Sequence, residues 1–142
     1  MIFDHAGPKD LGKDAVKVTY LLAARPDLGQ AACHRTWLDD HGPLVGSFAG
    51  LLHMQRYVQS HTVTPDFNAQ AQAARGYLPP LDGITEVWIN SLEDMARGGS
   101  TEAGRDAGMA LVEDERRFVD MGRSRCFLTR EHLIFDHTGE SA

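Results

Sequence analysis

Between Val16 and Phe135 the apolar residues of this chain switch their spacing in a set order, and that order restricts the fold more than any other property. From Val16 to Ala24 the run VKVTYLLAA alternates, with Val16, Val18, Tyr20 and Leu22 on one face and Lys17, Thr19 and Leu21 on the other. This is strand spacing. Arg25-Pro26-Asp27 is turn chemistry, and Leu28 to about Gly46 suits a helix that Gly42-Pro43 bends or ends near His41. Leu51 to His61 alternates again. Its even positions Leu52, Met54 and Val58 are mostly apolar, and its odd positions are His53, Gln55, Tyr57, Gln59 and His61. The expectation is an even face packed on helices and an odd face presenting donors and acceptors, either to a pocket or to water.

Thr62 to Pro80 is a long connection with room for one short helix around Asn68 to Ala74, a length that suggests a lid or binding loop. Leu81 to Asn90 reads as a third strand with Asp82, Ile84, Glu86 and Trp88 on one face. Ser91 starts a short helix that Gly98-Gly99 stops. A longer helix runs from Thr101 to about Phe118, its charged side read as solvated, and Arg123 to Phe135 fits a last strand.

Strand, helix, strand, strand, helix, strand is the order of the ferredoxin-like split βαβ, an α+β fold whose antiparallel sheet carries both helices on one face. The other face needs a cover that a chain of 142 residues does not supply, so a homodimer joined sheet to sheet is the expected assembly. One domain is expected over 15–136, after an N-terminal arm, Met1 to Asp14, and before a polar tail, 137–142. The formal charge of −6 argues against a nucleic-acid partner, and no apolar run approaches the roughly 20 residues that span a bilayer. The N-terminus lacks the apolar segment of a signal peptide, which makes the expected location cytoplasmic. Cys33 and Cys126 read as buried thiols. With P-loop and G-x-G-x-x-G patterns absent, no nucleotide cofactor is expected, nor any other.

Several segments together carry a family resemblance. They are Val16-Lys17-Val18-Thr19, the helix end Trp37-Leu38-Asp39-Asp40-His41-Gly42-Pro43-Leu44-Val45, the strand Tyr57-Val58-Gln59-Ser60-His61, Asp82-Gly83-Ile84 through Glu86-Val87-Trp88, and Arg117-Phe118-Val119-Asp120. This set resembles the EthD family of dimeric α/β barrel proteins, over about Val16 to Phe135. The resemblance implies a ferredoxin-like dimer with a cavity beside each sheet. Fungal relatives are dehydratases and decarboxylases of aromatic polyketides, whereas the namesake bacterial members accompany an ether-degrading oxygenase system.

The residues themselves suggest acid–base chemistry. Histidine titrates nearest neutral pH, which makes His41 and His61 the candidate proton carriers, with Tyr57 protonating a leaving hydroxyl or a developing oxyanion. Glu86 beside Trp88 is a candidate base if burial raises its pKa. Trp37, Gln59, Asp82, Trp88 and Phe118 are candidate substrate contacts. Each has a structural alternative: His41 capping the helix end, His61 exposed at a strand end, Asp82 forming a turn with Gly83, Glu86 on the surface, and the aromatic residues in the core. No H-x-x-x-H, H-x-H or H-E-x-x-H spacing occurs, and His53 and His61 on a regular strand lie about 27 Å apart, so no metal is expected. The resulting expectation is a cofactor-independent lyase or isomerase acting on a hydrophobic, aromatic or polyketide-like molecule. A non-catalytic ligand-binding or accessory protein of an oxygenase system and a cofactor-free monooxygenase are the alternatives.

Overall fold

A computed structural model describes residues 11–139. Strands β1 (Val16–Leu22), β2 (Met54–His61), β3 (Gly83–Ile89) and β4 (Arg125–Thr129) lie in the order β2-β3-β1-β4, with every neighbouring pair antiparallel. The helical connection after β1 thus passes over β3 to reach β2, and the one after β3 passes over β1 to reach β4. This is the ferredoxin-like α+β topology read from the order of elements. The helices are α1 (Gln30–Thr36), α2 (Gly42–Phe48), α3 (Asp66–Arg75), α4 (Leu92–Gly98) and α5 (Glu102–Glu115). Ser91 Oγ accepts the Asp94 N–H at 3.0 Å and Thr101 Oγ1 the Gly104 N–H at 2.9 Å, so two side-chain caps set the starts of α4 and α5. Among the described residues no helix is long and apolar enough to cross a membrane.

The helix expected from Leu28 to Gly46 is interrupted rather than ended. Residues Trp37–His41 between α1 and α2 form a π-helical turn, closed by the Gly42 N–H donating to the Trp37 carbonyl five residues back. Pro43 explains it. Proline has no N–H for the Asp39 carbonyl and its ring would strike that carbonyl in an α-helix, whereas a widened turn accommodates both.

Register fixes which side chains share a face. Val18 lies opposite Val87, which lies opposite Tyr57; Tyr20, Thr85 and Gln59 form the next row, and Leu22, Gly83 and His61 the last. These rows face the helices, where Trp37, Leu111 and Phe118 cover them. For β2 this reverses the expected faces: Tyr57, Gln59 and His61 are inside, and Val58 and Ser60 are on the open side. An irregularity between Met54 and Arg56 shifts the phase of the strand, and His53 sits before it in a turn with φ 58°. The polar row is accepted inside because its groups find partners there.

Other departures have local causes. β4 stops at Thr129, paired with Lys17, because β1 has almost run out of residues to pair with. Cys33 is buried, but Cys126 on this edge strand is exposed. The connection after β2 holds α3, longer than expected and without a buried residue. Of the expected arm only Leu11–Asp14, a turn region, falls within the described residues, as does only 137–139 of the tail.

Two apolar clusters fill the space between sheet and helices. Leu22, Ala24, Cys33, Trp37, Phe118 and Val119 form one, and Val16, Val18, Val87 and Ile89 the other, with Tyr20 packed against both. Gly83 holds the first together. A Cβ there would stand 2.5 Å from the Ser60 carbonyl oxygen and 2.6 Å from the Trp37 ring. Gly83→Ala is therefore expected to destabilise the fold by about 1–3 kcal/mol, as overpacking does, and urea unfolding that shows an unchanged midpoint would refute this account of the contact.

Candidate active site between the sheet and the helices

Where the two clusters fail to meet there is a cavity of about 30 Å³, enough for roughly one or two water molecules. Its polar groups come from Tyr20, His41, Tyr57, Thr85 and Glu115, and its apolar lining includes Trp37 and Phe118. Beside it a groove of about 750 Å³ runs between the sheet and α5, walled by Met54, Met95, Met109, Ile89 and Val112. Tyr20, Met54, Val87, Leu111 and Glu115 line both spaces, which makes Glu115 a border post between a wide groove and a small chamber.

The π-turn delivers His41 to this chamber. The ring is buried, with its edge toward Phe118 at a centroid distance of 5.2 Å. Its Nδ1 lies 2.8 Å from Asp114 Oδ2. Arg117 bridges Asp114, at 2.7 Å, to Asp40 of the π-turn, at 3.0 Å. Partial burial opposes ionisation of Asp114, but the Arg117 and His41 hydrogen bonds prevail and hold its pKa below the usual carboxylate value. An ionised carboxylate only accepts, so His41 Nδ1 carries the proton and Nε2 is the free nitrogen. That nitrogen faces Glu115 Oε2 at 3.7 Å. Burial lowers the His41 pKa more strongly than Asp114 raises it, and the ring is neutral at pH 7. Burial and the neighbouring Asp114 charge push Glu115 the other way, up to about 7. A neutral imidazole backed by a carboxylate thus stands opposite a carboxyl group poised to gain or lose a proton.

A second network orders the sheet side. Gln59 Nε2 lies 2.8 Å from the Trp37 carbonyl oxygen and 2.8 Å from the Tyr57 hydroxyl. Only the NH₂ group of an amide can approach a carbonyl oxygen in this way, which fixes Gln59 Oε1 as the acceptor from His61 Nε2 at 2.7 Å. His61 is therefore in its Nε2–H form. Its ring stacks on Trp37 at 4.5 Å and meets that of His34 at 4.5 Å, and burial together with His34 lowers its pKa. Burial raises the Tyr57 phenol, while the Gln59 amide and the Trp37 indole beside it pull the other way. Trp37 Nε1 itself is fully buried without a hydrogen-bond partner among the described residues, a condition that costs about 1–3 kcal/mol.

The structure thus brings His41, Tyr57, Trp37, Gln59 and Phe118 together, with His61 one step behind Gln59. It separates Glu86, Trp88 and Asp82 from them. Glu86 and Trp88 are on the open face of the sheet, where Lys17 Nζ reaches Glu86 at 2.6 Å and Glu131 at 3.0 Å, and Glu131 accepts from Trp88 Nε1 at 2.9 Å. Asp82 is a structural clamp, accepting from the Ala24 N–H at 2.7 Å and from Gln30 Nε2 at 2.9 Å. The residues missed from the sequence are Asp114 and Glu115, taken there as part of a solvated helix face. The signal was available: Gly104, Ala107 and Leu111, the buried residues of α5, continue at the same spacing through Glu115 to Phe118. Among the described residues no group of three or more His, Cys, Asp or Glu side chains is arranged to hold a metal.

The EthD domain model matches residues 25–122, and the chain belongs to the EthD family. No curated protein sequence matches it. Among solved structures it is similar to an ethyl tert-butyl ether D family protein from Bacillus halodurans C-125, with TM-score 0.56 and 14% identity over 83% of this chain and 99% of that one. It is also similar to the Passiflora edulis hydroxynitrile lyase (TM-score 0.52, 10% identity, 86% and 99% covered) and to a mutant form of SnoaB, a cofactor-independent oxygenase from Streptomyces nogalater (TM-score 0.51, 11% identity, 87% and 99% covered). At these identities the likeness is one of fold.

The two titratable groups of the chamber load stability in opposite pH windows. The raised Glu115 pKa means that stability present below its unfolded value of 4.5 is lost as pH rises toward 7, whereas His41 costs stability as pH falls below its unfolded 6.5. Glu115→Gln is accordingly expected to gain about 1–3 kcal/mol at pH 8 and little at pH 5. Equal effects at both pH values in urea unfolding would contradict the buried-carboxylate assignment.

Proposed function

We propose that the chain is a cofactor-independent enzyme that moves protons on a small hydrophobic molecule, a lyase or isomerase rather than a carrier. The observation that supports this most is the pairing of neutral, Asp114-backed His41 with Glu115 at 3.7 Å inside a pocket walled by apolar side chains. Such a pair has no evident structural benefit, since a carboxyl group forced toward pH 7 weakens the fold at neutral pH. Functional sites concentrate groups of this kind. The groove of about 750 Å³ is within the size range of small-molecule sites and suits an aromatic or polyketide-like body.

In this reading the Glu115 carboxylate takes a proton from a carbon of the substrate, and the electron pair left behind moves onto an adjacent electron-withdrawing group. Glu115 passes the proton to His41 Nε2, and Asp114 stabilises the resulting imidazolium. The imidazolium then returns the proton, to another carbon in an isomerisation or to a departing hydroxyl in a dehydration. Two enzymes share the fold, one of them a lyase, so the architecture supports such sites; the assignment here is drawn from the side chains.

The same reading includes assembly. Ile84 and Phe127 on the open sheet face are 39% and 47% exposed, and a second copy packed against that face would cover them. Phe127→Arg is expected to weaken the homodimer, measured by sedimentation equilibrium, and a wild-type monomer at high concentration would overturn the assembly.

For the chemistry, proton exchange in D₂O is followed by NMR with aromatic ketones, hydroxy ketones and keto acids. Deuterium is expected at the carbon next to the carbonyl, with a rate that rises as pH passes about 7, where Glu115 becomes a carboxylate. His41→Ala and Glu115→Gln should each lower it by about 10²–10⁴-fold. Tight binding of several compounds without any exchange would favour a ligand-binding or accessory role instead.

A further inference from the structure

Resting on the reading above, we infer that the small chamber is a seat for one substrate oxygen, held by the Trp37 indole N–H and the Tyr57 hydroxyl, and that the substrates are therefore apolar carbonyl compounds which become enolates. The chamber of about 30 Å³ has room for one or two water-sized groups but not for a carbon skeleton, and the body of a ligand must remain in the adjoining groove. Trp37 Nε1 is a fully buried donor with no partner among the described residues, on a residue that lines this chamber. Buried donors are rarely left so, and one beside a chamber of this size is matched to an acceptor that arrives from outside.

Tyr57 points to the same spot. The Gln59 amide donates to its hydroxyl oxygen, so the phenolic proton is directed away from Gln59, and both the Trp37 indole and the Thr85 hydroxyl stand close enough to influence that hydroxyl. Gln59 is itself fixed between the Trp37 carbonyl and His61, which keeps the donor pair rigid before any ligand enters. Preorganised donors of this kind favour an oxygen on which negative charge grows, as when a C–H proton leaves the neighbouring carbon and its electron pair shifts onto the carbonyl. Glu115, on the border between chamber and groove, stands where that C–H bond would lie. The class defined is a ketone or aldehyde on a hydrophobic body, with a hydrogen on the adjacent carbon.

The test uses 4-nitrophenol, whose phenolate mimics an enolate, with nitrobenzene as the uncharged control. The chain has two tryptophans, Trp37 and Trp88, and Trp88 Nε1 is already bonded to Glu131, so the ¹⁵N–¹H spectrum holds an internal reference. At about pH 6, below the Glu115 pKa of about 7, bound 4-nitrophenol is expected to develop its phenolate absorbance and to move the Trp37 indole resonance downfield, with Trp88 unmoved. Trp37→Phe and Tyr57→Phe should each weaken 4-nitrophenol binding roughly tenfold or more while changing nitrobenzene affinity little. Three results would each overturn the assignment: an unmoved Trp37 resonance in the complex, equal losses for both ligands, or no binding of 4-nitrophenol. Phenolate binding with normal Trp37 shifts but no deuterium exchange would uphold the oxygen seat and sink the proposed enzymatic role instead.

Discussion

Much of this structure depends on one backbone constraint, the missing N–H of Pro43. Because the helix cannot proceed in α geometry through that residue, it widens into a π-turn at Trp37–His41, and the widening leaves the Trp37 carbonyl exposed to a second donor. Gln59 from β2 supplies that donor, so the same oxygen accepts from Gly42 within the helix and from the sheet beneath it. The turn also buries both Trp37 and His41, one against Gly83 and the other against Phe118. A straight helix would not bring one ring to the sheet and the other to α5 in this way. The Asp40–Arg117–Asp114 bridge then holds the turn to α5 from outside.

Placed this way, His41 and Glu115 work against the stability of the protein in proportion to their usefulness. Desolvation lowers the basicity of one and raises that of the other, so that His41 stays neutral at pH 7 while Glu115 is pushed up to about 7. Asp114 serves both ends: it orients the His41 ring through Nδ1, and its charge helps keep the neighbouring Glu115 protonated. Arg117 keeps Asp114 ionised from an exposed position, where solvent screening makes its own contribution to stability small.

The fold was legible because its signals are local. Alternation at Val16, Val18, Tyr20 and Leu22, the caps at Ser91 and Thr101, and the Gly98-Gly99 stop each act over a few residues, and their order alone selects a split βαβ. The site was legible in part. His41, Tyr57 and Gln59 could be named from type and position, but their facing could not, because the irregularity at Met54–Arg56 changes the phase of β2 after a run that looks regular. The surroundings of Glu86 and Glu115 differ from those expected for a related reason. A carboxylate next to a tryptophan on a strand resembles a pocket base, yet Lys17 and a glutamate from beyond β4 meet it on the open face. A carboxylate amid the many charges of α5 resembles solvated surface, and only the spacing from Leu111 to Phe118 indicates otherwise.

The two faces of β3 join these results. Thr85 and Val87 look into the chamber region, while Ile84, Glu86 and Trp88 look the opposite way, and the strand alternates between them residue by residue. A partner packed on the open face would thus touch the same seven-residue strand that forms the floor of the site, without adding a side chain to it. Central strands paired on both sides move little, and β3 is bonded to β1 and β2 along its whole length. The wall opposite this strand is helical. Its adaptable side chains, Met95 and Met109, line the groove, whereas Tyr57 and Gln59 stand on the sheet, Trp37 and His41 on the π-turn and Glu115 at the end of α5. Such a division leaves the groove adaptable in shape while the chamber beside it is bounded by rings and strands held in place from both sides.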